Sequence, residues 1–342
     1  MIFLARSSDE IFVWVSLNYS TANYQVQIDG VDQVADVLNY DWETKIAPGI
    51  GSFKIVLNNN NQAYDGRYQA GDSVSFSFDF ENGTTVRFTG YIEQIKDVFG
   101  EYGQTMEITG SHVTGLLLDR MVTAEFDGTT SSDQIIISLM NDFAPTGFNT
   151  NNVASCNVFP KISFNAVPLW KAICDVVEQT VNFDCYVDDQ KSVHFFRQGS
   201  RPTDESAAVQ GDNLLELEGL GKNILDIRNK VTVMGEQDGL PVIYTAEDED
   251  SQTLNDVREK VIQSTDIKTE EEAASIAENI LSGKKENLEN GVVHTFLLPA
   301  LLPGQTFFIV SDLPIIYGRF RAVRIKHTMY DFLSEIEVED VR

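Results

Sequence analysis

Cysteine, histidine and positive charge are all scarce in this chain, and each scarcity removes a class of function. Cys156, Cys174 and Cys185 are the three cysteines among 342 residues, and their gaps of 18 and 11 residues match no zinc or C-x-x-C pattern. They read as small core residues of a chain folded in a reducing cytoplasm. His112, His194, His294 and His327 lie far apart, none at helical metal spacing with another ligand, so each reads as a strand or surface residue. No P-loop, G-x-S-x-G, H-E-x-x-H or G-x-G-x-x-G string occurs. A Ser/His/Asp triad needs no adjacency in sequence, but nothing points to one. No catalytic, cofactor-binding or metal residue is therefore assigned, and no enzyme activity is expected. No apolar run approaches the roughly 20 residues that span a bilayer, and the N-terminus lacks a basic start followed by a long apolar stretch. Neither membrane anchoring nor secretion is expected. Lys and Arg number 25 against 52 Asp and Glu, a net charge of −27, which argues against wrapping nucleic acid through its phosphates.

Short strands are what the chain has in abundance. Hydrophobic residues at 42% fit a well-packed protein of two or three domains rather than a disordered one. Residues 1–115 read as strand after strand: IFVWVSLNY, YQVQI, SFKIVL, SVSFSFDF, TVRFTGYIEQIKDVF and TMEITGSH. Pro48-Gly49, Gly51 and the run from Asn58 to Asn61 supply the turns. Val74, Phe76, Phe78 and Phe80 alternate with Ser73, Ser75, Ser77 and Asp79, which marks a strand with one buried and one wet face. A small antiparallel barrel or sandwich is expected. A fainter copy of its second half closes the chain. Gly71-Asp72, Gly90-Tyr91-Ile92 and Ile108 recur as Gly304-Gln305, Gly318-Arg319-Phe320 and Ile336, each Ile lying 18 residues after the second Gly. The strands of Gly90 and Gly318 are expected at equivalent positions.

Between the copies the period changes. Ser131 and Gln134 make a capping-box pattern before the stripe Ile135, Ile136, Leu139, Met140 and Phe143, which stops at Pro145. Pro168 opens a second helix with Leu169, Trp170, Ile173, Cys174 and Val177 on one side. Phe183, Cys185 and Val187, a turn at Asp188-Asp189-Gln190-Lys191, and Val193, Phe195 and Phe196 then read as a hairpin under that helix. Residues 116–200 are thus an α+β unit. From 201 to 342 two strands are expected around Leu214 to Leu217 and Ile227 to Met234. A helix near 269–283 is capped by Thr269 and Glu272, stopped by Gly283 and favoured at its end by Lys284 and Lys285. The acidic run Glu247 to Asp250 is no calcium loop, since position six from Asp248 is Thr253, and reads as a solvated loop.

The string GSFKIVLNNNNQAYDGRYQAGDSVSF followed by TGYIEQI resembles the amino-terminal domain of tail hub and baseplate hub proteins of tailed phages and related contractile injection particles. Asn165-Ala166-Val167-Pro168-Leu169-Trp170, Tyr186-Val187-Asp188 and His194-Phe195-Phe196 resemble the middle domain of that family. Asn223-Ile224 and Arg228 to Val233 resemble the opening of its second barrel. The resemblance implies a mainly β fold with an α+β insertion: tail-tube-like antiparallel barrels at 1–115 and 201–342 around a helix-and-hairpin middle domain at 116–200. It further implies a homotrimer at the tail tip, assembled in the host cytoplasm, whose six barrels join a hexameric tail tube to a trimeric spike. The tape-measure protein and surrounding baseplate proteins are further partners. A spike needle or wall lysozyme would be another polypeptide, since the last expected strand runs to the end of the sequence. DNA would pass through without specific binding, and the acidity fits either that passage or a salty habitat. A tail-associated wall hydrolase and a distal-tail or tube subunit of a non-contractile tail are the alternatives.

Arg319, Arg321, Arg324 and Lys326 stand out against the acidic background. Period-two spacing puts the first two on one face of a strand and the last two likewise. They are expected either to pair across the hairpin with Glu335, Glu337 and Glu339 or to make an inter-subunit contact.

Overall fold

The computed structural model describes residues 2–6, 11–15, 24–33, 35–80, 83–100, 103–222, 228–237, 240–263, 267–284, 289–312 and 315–341. Residues 16–19, 223, 224, 227 and 285, on which some of the readings above rest, lie outside these. β1 (Ile2–Arg6) and β2 (Ile11–Val15) pair with each other. There follow β3 (Tyr24–Ile28), β4 (Val31–Asp32), β5 (Val37–Lys45), β6 (Ser52–Asn58), β7 (Ser73–Phe80), β8 (Gly83–Gly100) and β9 (Gly103–His112). Across the sheet they run β5-β6-β9-β8-β7-β3-β4, every neighbour antiparallel. Alternation buries Phe53, Ile55 and Leu57 of β6, Val74, Phe76 and Phe78 of β7, and Met106 and Ile108 of β9 on one face. The sheet curls over this face until Trp42 of β5 lies 5.4 Å from Phe76 and 5.3 Å from Phe78, and Tyr40 lies 5.8 Å from Tyr24 of β3, ring to ring. The reading from sequence passed over β5, whose apolar residues are outnumbered by polar ones.

The middle of the chain holds β10 (Met121–Asp127), α1 (Ser132–Phe143), β11 (Asn149–Val153), β12 (Lys161–Pro168), α2 (Leu169–Gln179), β13 (Phe183–Val187) and β14 (Ser192–Arg197). Ile135, Ile136, Leu139 and Met140 of α1 pack with Trp170, Ile173 and Val176 of α2 over Cys185 and Phe195 of the hairpin. Cys156, Cys174 and Cys185 are all free thiols.

The last part comprises β15 (Pro202–Val209), β16 (Leu214–Lys222), β17 (Lys230–Gln237), β18 (Leu240–Glu247), α3 (Glu249–Asn255), β19 (Glu259–Gln263) and α4 (Glu270–Lys284). It ends with β20 (Glu289–Phe296), β21 (Thr306–Asp312), β22 (Ile315–Thr328) and β23 (Leu333–Asp340). β17, β18 and β19 form their own sheet, with Ala273 and Ala277 of α4 packed on Val231 and Val233. Thr269 and Glu272 make a true capping box: Thr269 Oγ1 accepts from the Glu272 N–H at 3.2 Å, and Glu272 Oε2 accepts from the Thr269 N–H at 3.3 Å. The helix carries on through Gly283 to Lys284. The acidic run is not a loop, because Asp248 Oδ1 accepts from the Ser251 N–H at 2.8 Å and caps α3.

Outside that insertion, the order is β16-β20-β23-β22 with β21 and then β15 beside the first half of β22. With the two-residue β4 and the separate β1–β2 pair set aside, six strands of each module, ranked by their place in the chain, follow the same sheet order, second-third-sixth-fifth-fourth-first. One pairing departs, since β15 runs parallel to β21 whereas β3 is antiparallel to β7.

The duplication extends to backbone detail. Ile108 faces Ile95, and Ile336 faces Ile325; just before each pair one residue is bulged out, Glu93 between Ile92 and Gln94 and Val323 between Ala322 and Arg324. Leu38 and Leu215 are skipped alike on β5 and β16. Gly71 (φ 95) donates to Ile92 O at 2.8 Å, and Gly304 (φ 74) donates to Ala322 O at 2.8 Å. Asp72 Oδ2 accepts from the Gln69 N–H at 2.9 Å, as Gln305 Oε1 accepts from the Leu302 N–H at 2.8 Å. Gly90 and Gly318 are on equivalent strands but two positions apart: Gly90 corresponds to Phe320, and Gly318 to Phe88. Their equal distance to the central Ile arises because the first hairpin is longer, 13 residues from Ile95 to Ile108 against 11 from Ile325 to Ile336, which cancels the displacement.

Candidate assembly interface

The two modules are joined by hydrogen bonds within one sheet. β5 pairs antiparallel with the distal half of β22, setting Trp42 opposite His327, Glu43 opposite Lys326 and Asp41 opposite Thr328. At the bulge, the Ile46 N–H donates to Val323 O at 3.1 Å. Trp42 and His327 ring centroids are 4.5 Å apart, and His327 Nδ1 is 2.8 Å from Ser334 Oγ. Burial disfavours the imidazolium and pushes the His327 pKa down to about 3, with the Arg87 charge acting in the same direction. His112, likewise buried, is pushed down to about 4 by desolvation.

Of the four basic residues, Arg324 and Lys326 stand in this junction, and Arg319 and Arg321 lie farther back on β22, beside β21. Arg324 donates from Nε to Glu43 Oε2 of the first module at 2.7 Å and from one terminal nitrogen to Glu335 and Glu337 at 2.7 and 2.9 Å. Burial alone would lower its pKa, but the bonds to Glu43 and Glu335 outweigh it and hold the guanidinium charged well above the ordinary arginine range. Arg321, buried, donates to both carboxylate oxygens of buried Asp184 on β13 and to Glu339 on β23. Arg319 bonds Asp204 on β15 at 2.7 Å and lies over the Phe308 ring at 4.3 Å. Lys326 stands opposite Glu43 and Glu335 in the two ladders, and its charge acts on Asp41.

The modules also grip the middle unit through equivalent positions, since Arg321 corresponds to Tyr91. Tyr91 Oη accepts from Lys191 Nζ at 3.0 Å in the turn after β13, while Arg321 takes Asp184 on β13 itself. The first module adds two bonds: the Ala47 N–H donates to Cys185 O at 2.7 Å, and Trp170 Nε1 donates to Pro48 O at 3.2 Å. Sequence reasoning missed Glu43, Trp42 and Asp184 as junction residues. Asp184 carried a signal, an acid between Phe183 and Cys185 inside an apolar strand.

Beside the junction a cleft of about 520 Å³ is lined by Glu43, Lys45, Pro48, Val323, Arg324 and Glu337, and its charged groups are spent on one another: Glu43 binds both Lys45 and Arg324, and Arg324 binds Glu337. Among the described residues no cluster of three His, Cys, Asp or Glu side chains could hold a metal ion. His194 Nε2 meets Asp188 Oδ2 at 2.8 Å, and that carboxylate also accepts the N–H groups of Gln190 and Ser192, so it organises the turn. Burial and the neighbouring Asp188 charge raise Asp189 to about 6. What this arrangement does is hold modules to one another.

No family model and no curated protein matches the sequence. Solved structures do. The tail protein from Neisseria meningitidis MC58 superposes with a TM-score of 0.66 at 14% identity, covering 93% of this chain and 96% of its own. The 43 kDa tail protein of prophage MuSo2 from Shewanella oneidensis gives 0.67 at 15%, covering 93% and 98%. The chain has the fold of phage tail proteins. A third structure with this tail-protein fold is the c3393 protein of E. coli, a component of the type VI secretion system described as similar to T4 phage tail proteins; it gives 0.55 at 11%, covering 92% and 76%. At such identities what is shared is the fold, the middle unit included.

Proposed function

We propose that this chain is a structural hub subunit of a phage tail or related injection particle, acting as a homotrimer that joins a sixfold tail tube to a threefold spike. The observation that carries the reading is the duplicated module, with the same order of six strands, two shared bulges and the same glycine turn, set side by side in one sheet. Three such chains present six modules on a threefold axis, which is the geometric requirement for adapting one symmetry to the other. The 52 acids against 25 bases favour a channel that DNA or a tape-measure protein passes without adhesion, because a positive lumen would hold a duplex by counterion release. Three of the strand arginines being committed to protein carboxylates supports the same view. The particle's tail tip is the location, and assembly takes place in the host cytoplasm.

Native mass spectrometry of the full chain, alone and mixed with the tube and spike proteins, tests this. Trimer is expected in at least one mixture; a chain monomeric in all of them overturns the reading. A mobility-shift assay near physiological salt should show no duplex binding, whereas salt-sensitive binding would make the ring a DNA-gripping element. The hydrolase alternative requires turnover of cell-wall polymer that substitution of one or two carboxylates abolishes, and the hub reading expects none.

A further inference from the structure

At the internal junction, the second strand of one module (β5) lies on the distal half of the fifth strand of the other (β22). The counterparts of these edges are β16 and the part of β8 beyond Ile92. Neither has a ladder partner on that side among the described residues. Burial follows the same division. Ile325 and Tyr40 are 0% and 2% exposed at the junction, while their counterparts Ile95 and Leu217 are only half-buried and Val98 is 36% exposed. Charge repeats as well: Lys326 acts on Asp41 across the junction, and the counterparts of that pair, Lys96 and Glu218, are also a lysine and an acid, both exposed.

We infer that the distal edge of β8 in one copy receives β16 of a second copy, antiparallel and in the register of the internal junction. Val98 then stands opposite Glu218, Lys96 opposite Gly221 and Ile95 opposite Lys222. This assignment rests on the hub reading and names the strands and register by which copies meet. An exposed strand edge with unpaired N–H and C=O groups is a template for another strand. Here the chain already demonstrates, on itself, which strand fits. Each copy offers one edge of each kind, so the contact is head-to-tail and closes into a ring when the rotation per copy allows.

The test is disulfide trapping in the full chain. The double variant Val98→Cys/Glu218→Cys, mildly oxidised, should run as covalent dimer and trimer on a non-reducing gel, with each single variant running as monomer and so reporting any background from the native cysteines. Lys96→Glu should weaken the trimer about fivefold or more, and adding Glu218→Lys should restore it, with circular dichroism confirming that both variants fold. A wild-type trimer whose double-cysteine variant never cross-links, or whose affinity ignores Lys96→Glu, overturns the seam and leaves the hub reading standing. A chain that stays monomeric with tube and spike proteins present overturns both.

Discussion

The first and closing modules share two bulges, a glycine turn and the order of six strands, yet their side chains differ at most matched positions, and the bulges at Arg87 of β8 and between Glu218 and Gly221 of β16 have no counterpart. Tyr40 corresponds to Leu217, Tyr91 to Arg321 and Asn59 to Leu297. The backbone devices persist because a bulge or a left-handed glycine sets the curl of the sheet, which any apolar filling must then match. Side chains diverge because a core accepts many fillings of suitable volume. The modules also differ in their surroundings. β5 is covered by β22 of the same chain, and β16 is an edge among the described residues.

The largest effect should come from the two grips on the middle unit. Arg321→Ala leaves the buried Asp184 carboxylate without its countercharge, with the Gln198 amide as a remaining donor, and should cost about 3–5 kcal/mol in urea unfolding, most of it recovered in Arg321→Met/Asp184→Leu. At the matched position Tyr91→Phe removes one hydrogen bond to Lys191 and should cost about 1 kcal/mol. Equal costs would mean the charge pair is no stronger a clamp than the phenol.

Next come the paired isoleucines, identical in type and position. Ile325→Ala should destabilise the isolated chain by about 2–5 kcal/mol, because its site at the junction is fully buried. Ile95→Ala, half-buried, should cost nearer 1 kcal/mol, the lower end for partial burial. Measured in the assembled particle, the two should converge, and a gap that persists there would say that β8 stays uncovered.

Acid should act through the buried histidines. His112 and His327 have folded pKa values of about 4 and 3 against 6.5, so below pH 6.5 the unfolded chain binds more protons and stability falls as pH drops. Asp189, raised to about 6 from 3.8, binds its proton preferentially in the folded chain and opposes this between pH 6 and 4. Asp41 and Asp175, raised by burial, oppose it as well toward the acid end, so the net loss in that window should be no steeper than about 1.4 kcal/mol per pH unit. His327→Gln should flatten the slope. Below it, Glu43 and Asp188, held low against their burial by bonds to Lys45 and Arg324 and to His194, add to the loss.

The smallest contrast is between the matched glycines. Gly71→Ala places a Cβ in open space at φ 95 and should cost about 1–2 kcal/mol for the left-handed backbone alone. Gly304→Ala meets the same strain plus the Phe196 ring 2.3 Å from the new Cβ, so its unfolding midpoint should drop further.

The class of many elements was legible in neighbouring residues: alternation in β7 and β9, the stripes of α1 and α2, the hairpin with its Asp188-to-Lys191 turn, and the glycine turns at Gly71 and Gly304. These are local signals, written in residues a few positions apart, and backbone sterics or periodic burial read them directly. Which edges meet followed from the fold alone. Gly90 and Gly318 looked equivalent because a longer hairpin cancelled a two-residue displacement, and register is a property of paired strands that one strand's pattern does not contain. β5 stayed hidden because strands flanked by polar residues carry little average hydrophobicity, although Tyr40 and Trp42 hold up the junction. Arg324 finds Glu43 across 281 positions of sequence and Arg321 finds Asp184 across 137. Such pairings follow from the folded path of the chain, since a guanidinium is satisfied by any carboxylate that the packing brings within reach.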